Sequence, residues 1–275
     1  MSPMRTHPTT TAEAAGLTFD MSGSGPALVL LHGLGSSGKA FAPLVATLSK
    51  TFTTYVLDLP GHGRSPLPTP APVEITPGDL ARQVGLWMDT LGLDTVHVAG
   101  NSMGGWAALE LAADGRAASV TALCPAGLWV PLTERSPLLD GNRRLARITR
   151  PVLPLLLRTS LGRKFGFRSA VERFDLLTPS IAVDAALDQI DTAGFDEAHD
   201  GMLHRWFDRS DEIAADIPVT IVFGDNDRMI PAATGRRREH SPAHARWITL
   251  PRCGHVPMWD APHDTARIIR DTAGV

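Results

Sequence analysis

Cysteine is scarce. The 275 residues include two, Cys124 and Cys253, which excludes a disulfide framework and a four-ligand zinc site. Tyrosine is scarcer still, with Tyr55 alone. A surplus of positive charge is also missing. Lysine and arginine number 26 against 29 acids, a net charge of −3 with histidine neutral. The whole-chain balance therefore offers no footprint for nucleic acid or for an anionic membrane. Long hydrophobic runs are absent as well: residues 151–157 are closed by Arg150 and Arg158, far short of a bilayer span. Residues 1–15 are polar and Thr-rich, lack the apolar core of a secretory leader, and read as a disordered tail. What remains is an ordinary globular composition, 43% hydrophobic and 20% charged, with enough material for one large domain. The expectation is a cytoplasmic protein whose partner is a small-molecule substrate, without nucleic acid or a membrane span. Oligomeric state is left open.

Short apolar runs punctuate the chain at 27–31, 53–57, 96–99, 120–123, 219–223 and 247–250. They are nearly continuous rather than alternating, as strands covered on both faces should be. Helical signals lie between them. In the best of these, Thr76 can cap, Pro77 suits the first helical position and Asp79 follows three after the cap. Leu80, Val84, Trp87, Met88 and Leu91 then share one face, and Gly92 closes it. Strand and helix in alternation imply right-handed crossovers and a mostly parallel α/β sheet. Residues 126–215 break the pattern with helical stretches and no convincing strand. The division expected is a core of 16–125 and 216–275 with a helical lid at 126–215.

Glycine-rich signals compete for the chemistry. Gly33, Gly35 and Gly38 fit a dinucleotide fingerprint with Asp58 twenty residues beyond Gly38, and Gly33, Gly38 and Lys39 resemble a P-loop. Both fit poorly. Ala40 has no hydroxyl for magnesium, and Pro43 stands where either motif wants an uninterrupted early helix. Gly100-Asn-Ser102-Met-Gly104 is a G-x-S-x-G bend between a strand and an Ala/Leu-rich helix. Such a bend needs small neighbours and holds its serine at the sheet edge above a helix amino end.

A serine hydroxyl is a weak nucleophile until a base removes its proton, and that base needs an orienting carboxylate. Two later strands supply both at their carboxyl ends. One runs into Asp225 and Asp227, the other into His255. Asp227 is favoured over Asp225 because it lies deeper in its loop, where a side chain can turn back toward His255.

On these residues the chain resembles the α/β-hydrolase superfamily, through His32-Gly-Leu-Gly35, Asp58-Leu-Pro-Gly-His-Gly-Arg-Ser65, the Ser102 bend, residues 224–231 and Gly254-His255. The resemblance implies an α/β-hydrolase fold: a mostly parallel eight-stranded sheet flanked by helices, with a lid inserted after the sixth strand. It makes Ser102 the nucleophile, Asp227 the acid and His255 the base, and assigns the oxyanion hole to the backbone N–H groups of Leu34 and Met103. No cofactor and no metal are implied. The wording around Ser102 looks like the branch of ring-cleavage C–C hydrolases, enol-lactone hydrolases and small esterases. In dehalogenases and epoxide hydrolases the resemblance would want an aspartate there. The implied activity is cleavage of an ester, lactone or activated C–C bond in a small, partly apolar carbonyl compound. A non-turnover receptor on the same fold, a perhydrolase, an acyltransferase and a lyase stay open. Trp129 and Trp206 are the expected lid contacts to substrate, while Arg143, Arg144, Arg147 and Arg150 read as a solvated helix face.

Overall fold

The computed structural model describes residues 9–135 and 137–275. Eight strands form one sheet: β1 (Thr10–Ala14), β2 (Leu17–Gly23), β3 (Ala27–Leu31), β4 (Thr53–Leu57), β5 (Val96–Asn101), β6 (Ala117–Leu123), β7 (Val219–Gly224) and β8 (Arg246–Leu250). Their spatial order is β1-β2-β4-β3-β5-β6-β7-β8. The first two pairings, β1 with β2 and β2 with β4, are antiparallel; the rest are parallel. The six expected apolar runs all lie in the parallel part, where side chains such as Leu30, Val98 and Val222 are buried.

The expected tail of residues 1–15 is corrected in part, since Thr10–Ala14 forms the edge strand β1. Its side chains are nearly all exposed, so the ladder to β2 and the Thr11 to Asp20 hydrogen bond hold it rather than burial. Polar edge strands leave little apolar signal to read. Residues 1–8 of that expectation lie outside the described residues.

Helices α1 (Ala42–Leu48), α2 (Pro77–Thr90) and α3 (Met103–Ala113) cross between the early strands. Pro43 occupies the first turn of α1, where its missing N–H has no helical partner to lose. Helix α2 starts as its sequence dictates: Thr76 Oγ1 accepts from the Asp79 amide at 3.1 Å, and Asp79 Oδ2 accepts from the Thr76 amide at 2.9 Å. Between β6 and β7 the described chain contains no strand. It runs through α4 (Pro137–Thr149), α5 (Leu153–Arg158), α6 (Ser160–Phe167), α7 (Pro179–Asp191) and α8 (Phe195–Asp200). This helical insertion meets the glycine loop through Ser37 Oγ, which donates to Asp188 Oδ2 of α7 at 2.6 Å. Helices α9 (Ala232–Gly235), α10 (Pro257–Asp260) and α11 (Pro262–Ala273) complete the chain. One apolar core packs α2 and α3 on one face of the sheet; a second joins α1, α11 and the insertion on the other. Among the described residues no helix is long and apolar enough to cross a membrane.

Because β3 to β8 run the same way, the loops after β3, β5, β7 and β8 meet at one sheet edge. That edge is where open parallel sheets place their ligands.

Candidate active site

The bend after β5 is tight. A Cβ on Gly100 would stand 2.0 Å from the Gly104 carbonyl oxygen, and one on Gly104 would stand 2.2 Å from that of Leu31. Only glycine fits either position. Ser102 between them is held at φ 56°, ψ −117°, a strained backbone that the surroundings must enforce. Two hydrogen bonds do so: its amide donates to the Leu123 carbonyl at 2.9 Å, and its carbonyl accepts from Ala126 at 3.0 Å. The hydroxyl has no hydrogen-bond partner among the described residues and faces a cavity of about 1160 Å³.

His255, after β8, lines the same cavity. Its Nδ1 lies 2.9 Å from Asp227 Oδ2. The other oxygen of Asp227 accepts the amides of Met229 and Ile230, each at 2.9 Å. Burial pushes the Asp227 carboxyl up, but His255 and those two amides outweigh it and hold the group below its ordinary value. Asp225 does different work, accepting from the Cys253 amide at 3.1 Å and from Asn226. It organises the loop. No hydrogen bond joins Ser102 to His255 among the described residues; contacts of this type often close only around substrate.

The supports of His255 come from residues the sequence did not single out. Asn101 Nδ2 donates to the His255 carbonyl and to that of Leu123, both at 3.0 Å, tying the histidine loop to the serine bend. The His255 amide donates to Ala170 of the insertion at 2.7 Å. Buried Asp260 accepts the amides of Gly254, Glu172 and Arg173. Asn101 sits inside the glycine motif and could have been suspected; Asp260 carries no local signal.

The glycine loop lies against the bend, so that a Cβ on Gly33 would stand 3.1 Å from Ser102 Cβ. Neither the Leu34 nor the Met103 amide donates to an acceptor among the described residues. Behind the loop, buried His32 links the Gly33 carbonyl at Nδ1 (2.8 Å) to the Leu59 amide at Nε2 (3.0 Å). Asp58 accepts from the amides of Gly38 and Arg64 and from Arg64 Nε. Its oxygens are occupied inside the protein, which leaves none for a ribose.

The rings of His32 and His62 stand 5.3 Å apart, both buried, and His62 Nε2 has no hydrogen-bond partner among the described residues. Burial, aided by His32, pushes the His62 imidazole down to about 3, and burial lowers His32 as well. An unfolded chain takes up these protons as pH drops below 6.5, while the folded chain resists. Stability is therefore complete above that pH and declines toward acid, by about 1.4 kcal/mol per pH unit for each histidine kept neutral. Thermal melts should show the midpoint falling on acidification, with a shallower fall in His62→Asn. Equal slopes would refute this assignment.

Among the described residues, Cys124, Asp227 and His255 place donor atoms within 4.8 Å of one another. They suit a metal poorly. Burial and the Asp227 charge hold the Cys124 thiol protonated, and a thiol ligates as its thiolate. Of the two expected lid contacts, Trp129 lines the cavity, with Nε1 donating to the Arg205 carbonyl at 2.9 Å. Trp206 is a correction. It is half-exposed, stacks on His240 with centroids 6.1 Å apart, and lies off the cavity wall. The wall is otherwise mostly apolar, with Leu153, Leu157, Met202, Ile230 and Trp259 among its residues.

Comparison with known proteins agrees with this architecture. Residues 28–268 match the model of the alpha/beta hydrolase family. A pimeloyl-(acyl-carrier protein) methyl ester esterase of Xanthomonas campestris is 30% identical over 251 residues, covering 87% of this chain and 92% of that protein. The epoxide hydrolase EphH of Mycobacterium tuberculosis is 30% identical over 203 residues, covering 69% and 91%. Among solved structures, the 2-hydroxy-6-oxo-6-phenylhexa-2,4-dienoate hydrolase of a Rhodococcus species superposes with a TM-score of 0.75 at 22% identity, covering 98% of this chain and 100% of the other.

Proposed function

The chain belongs to the alpha/beta hydrolase family, and from that premise we propose a serine hydrolase that cleaves carboxylic esters of bulky, mainly apolar acids. The observation that carries this reading is the 2.9 Å Asp227–His255 pair on the wall of the cavity that Ser102 faces. In the proposed cycle His255 Nε2 takes the Ser102 proton as Oγ attacks the carbonyl carbon. The amides of Leu34 and Met103 receive the negative charge on the carbonyl oxygen, and His255 then protonates the departing alcohol. Water enters by the same route and frees the acid. Asp227 keeps the imidazole proton on Nδ1, so that Nε2 is the free base.

The cavity, at about 1160 Å³, exceeds the common range of roughly 300–1,000 Å³ for small-molecule sites. Volume and apolar lining together support an acyl group larger than acetate. The helical insertion supplies most of that lining and serves as the lid. Epoxide opening fits less well, despite the relative of that name. Attack by a serine oxygen on an epoxide carbon would leave an ether that water and His255 cannot hydrolyse. The single tyrosine, Tyr55, packs on Phe19 and Trp87 rather than facing the cavity. Two free, buried cysteines support a cytoplasmic setting.

A fluorophosphonate probe followed by peptide mass spectrometry should label Ser102 alone. The wild-type protein should hydrolyse p-nitrophenyl esters with kcat/KM rising from acetate to longer acyl chains. Labelling at another residue, or no turnover of any ester, would overturn the reading.

A further inference from the structure

Charge is unevenly distributed along this chain. Residues 141–170 hold eight arginines and lysines and no acid, within a protein whose net charge is −3. Three of those cations are occupied internally. Arg143 is buried against Asp196 and the Thr192 carbonyl, Arg150 pairs with Asp191, and Arg163 donates to the carbonyls of Leu157 and Arg158. Arg144, Arg147, Arg158, Lys164 and Arg168 are exposed and have no acidic partner among the described residues.

Between these cations stand large apolar side chains that the fold leaves in solvent. Ile148 is 70% exposed, Leu155 67%, Leu161 76% and Phe165 61%; Val152 is half-exposed. A solvated helix face would be polar at these positions. The cluster is also contiguous. Helix α5 packs on both α6 and α7, and α7 carries α4. Leu145 of α4, Leu156 of α5, and Leu161 and Phe165 of α6 are partly in solvent and also line the cavity. The exposed apolar face is therefore continuous with the cavity wall.

We infer that this face of the insertion docks on an anionic lipid surface, with the cavity mouth turned toward the lipid. The apolar side chains enter the headgroup boundary, and the unpaired guanidinium and ammonium groups engage lipid phosphates, the two attractions that together hold a peripheral protein at an interface. Charge alone would also suit an acidic protein. Wide exposure of leucine, isoleucine and phenylalanine among the cations favours a fluid apolar boundary that can accept each of them without a matched pocket.

The test needs no turnover, so it can fail while the hydrolase reading stands, and the reverse. The full chain is sedimented with vesicles of pure phosphatidylcholine and with vesicles containing equal phosphatidylglycerol, at low and high salt. Binding is expected to the anionic vesicles, to weaken with salt, and to be slight on the neutral ones. Ile148→Glu with Leu155→Glu should abolish it. Replacing Arg144, Arg147, Arg158 and Lys164 by glutamine should weaken partitioning by roughly fivefold per cation removed. None of these six positions lines the cavity, and all are exposed, so thermal melts should stay unchanged. Indifference to lipid charge, no binding at low salt, or variants that bind like wild type would each overturn the assignment. A saturable complex with an acyl carrier protein and none with vesicles would give the face to an acidic protein instead.

Discussion

Ser102→Ala is expected to lower kcat on a p-nitrophenyl ester by roughly 10⁴–10⁶-fold, the loss seen when the nucleophile of a coupled triad is deleted. The substitution removes one oxygen that makes no hydrogen bond among the described residues, so nothing in the resting fold depends on it. The backbone strain at φ 56° is the same for alanine as for serine. Stability and vesicle binding should therefore match wild type while turnover vanishes, and the fluorophosphonate label should vanish with it. Ester binding should largely persist, because the cavity wall is intact and the interaction removed acts only in the transition state. Residual kcat within tenfold of wild type would show that the ester is cleaved elsewhere or by another nucleophile.

What the sequence disclosed and what it hid divide along physical lines. Parallel strands buried on both faces leave unbroken apolar runs, and all six such runs are strands. Strand β2 buries Leu17 and Phe19 but leaves Thr18, Asp20 and Met21 only partly buried, and so short an alternation passes unnoticed. Strand β1 is held by backbone pairing, to which polar side chains contribute no pattern. The glycine bend around Ser102 is legible because backbone crowding admits no larger residue at Gly100 and Gly104. Asp227 and His255 are legible because each follows a strand end. Asp260 is not, since it acts partly through the amides of Glu172 and Arg173, distant in sequence, that only the folded chain brings near. Trp206 misled for the converse reason: a large aromatic in a helical insertion reads the same whether it faces the cavity or the solvent.

Net charge misleads in a related way. Twenty-nine acids spread through the chain offset 26 cations, of which eight crowd into residues 141–170 without an acid among them. A surface senses charges within about one screening length, near 8–10 Å in physiological salt. The sum over 275 residues is thus the wrong quantity for a patch confined to α4, α5 and α6.

Asp227→Asn is expected to cost about 10⁴-fold in kcat although it removes no atom from the framework. The geometry gives the reason. Oδ1 of Asp227 accepts two backbone amides, from Met229 and Ile230, so in the variant the amide oxygen must remain there. The NH₂ group then takes the place of Oδ2 and points at His255 Nδ1, 2.9 Å away in the wild type. An NH₂ donates, so Nδ1 must become the acceptor and the single imidazole proton moves to Nε2. That is the nitrogen the mechanism needs free to take the Ser102 proton. The histidine stays in place in the wrong tautomer, and the base is lost. KM should change little, since Asp227 is buried away from the substrate. Asp225→Asn, in an exposed loop position that never meets His255, should show no comparable loss. If the two variants fall together, or Asp227→Asn keeps wild-type kcat, Asp227 does not orient the base.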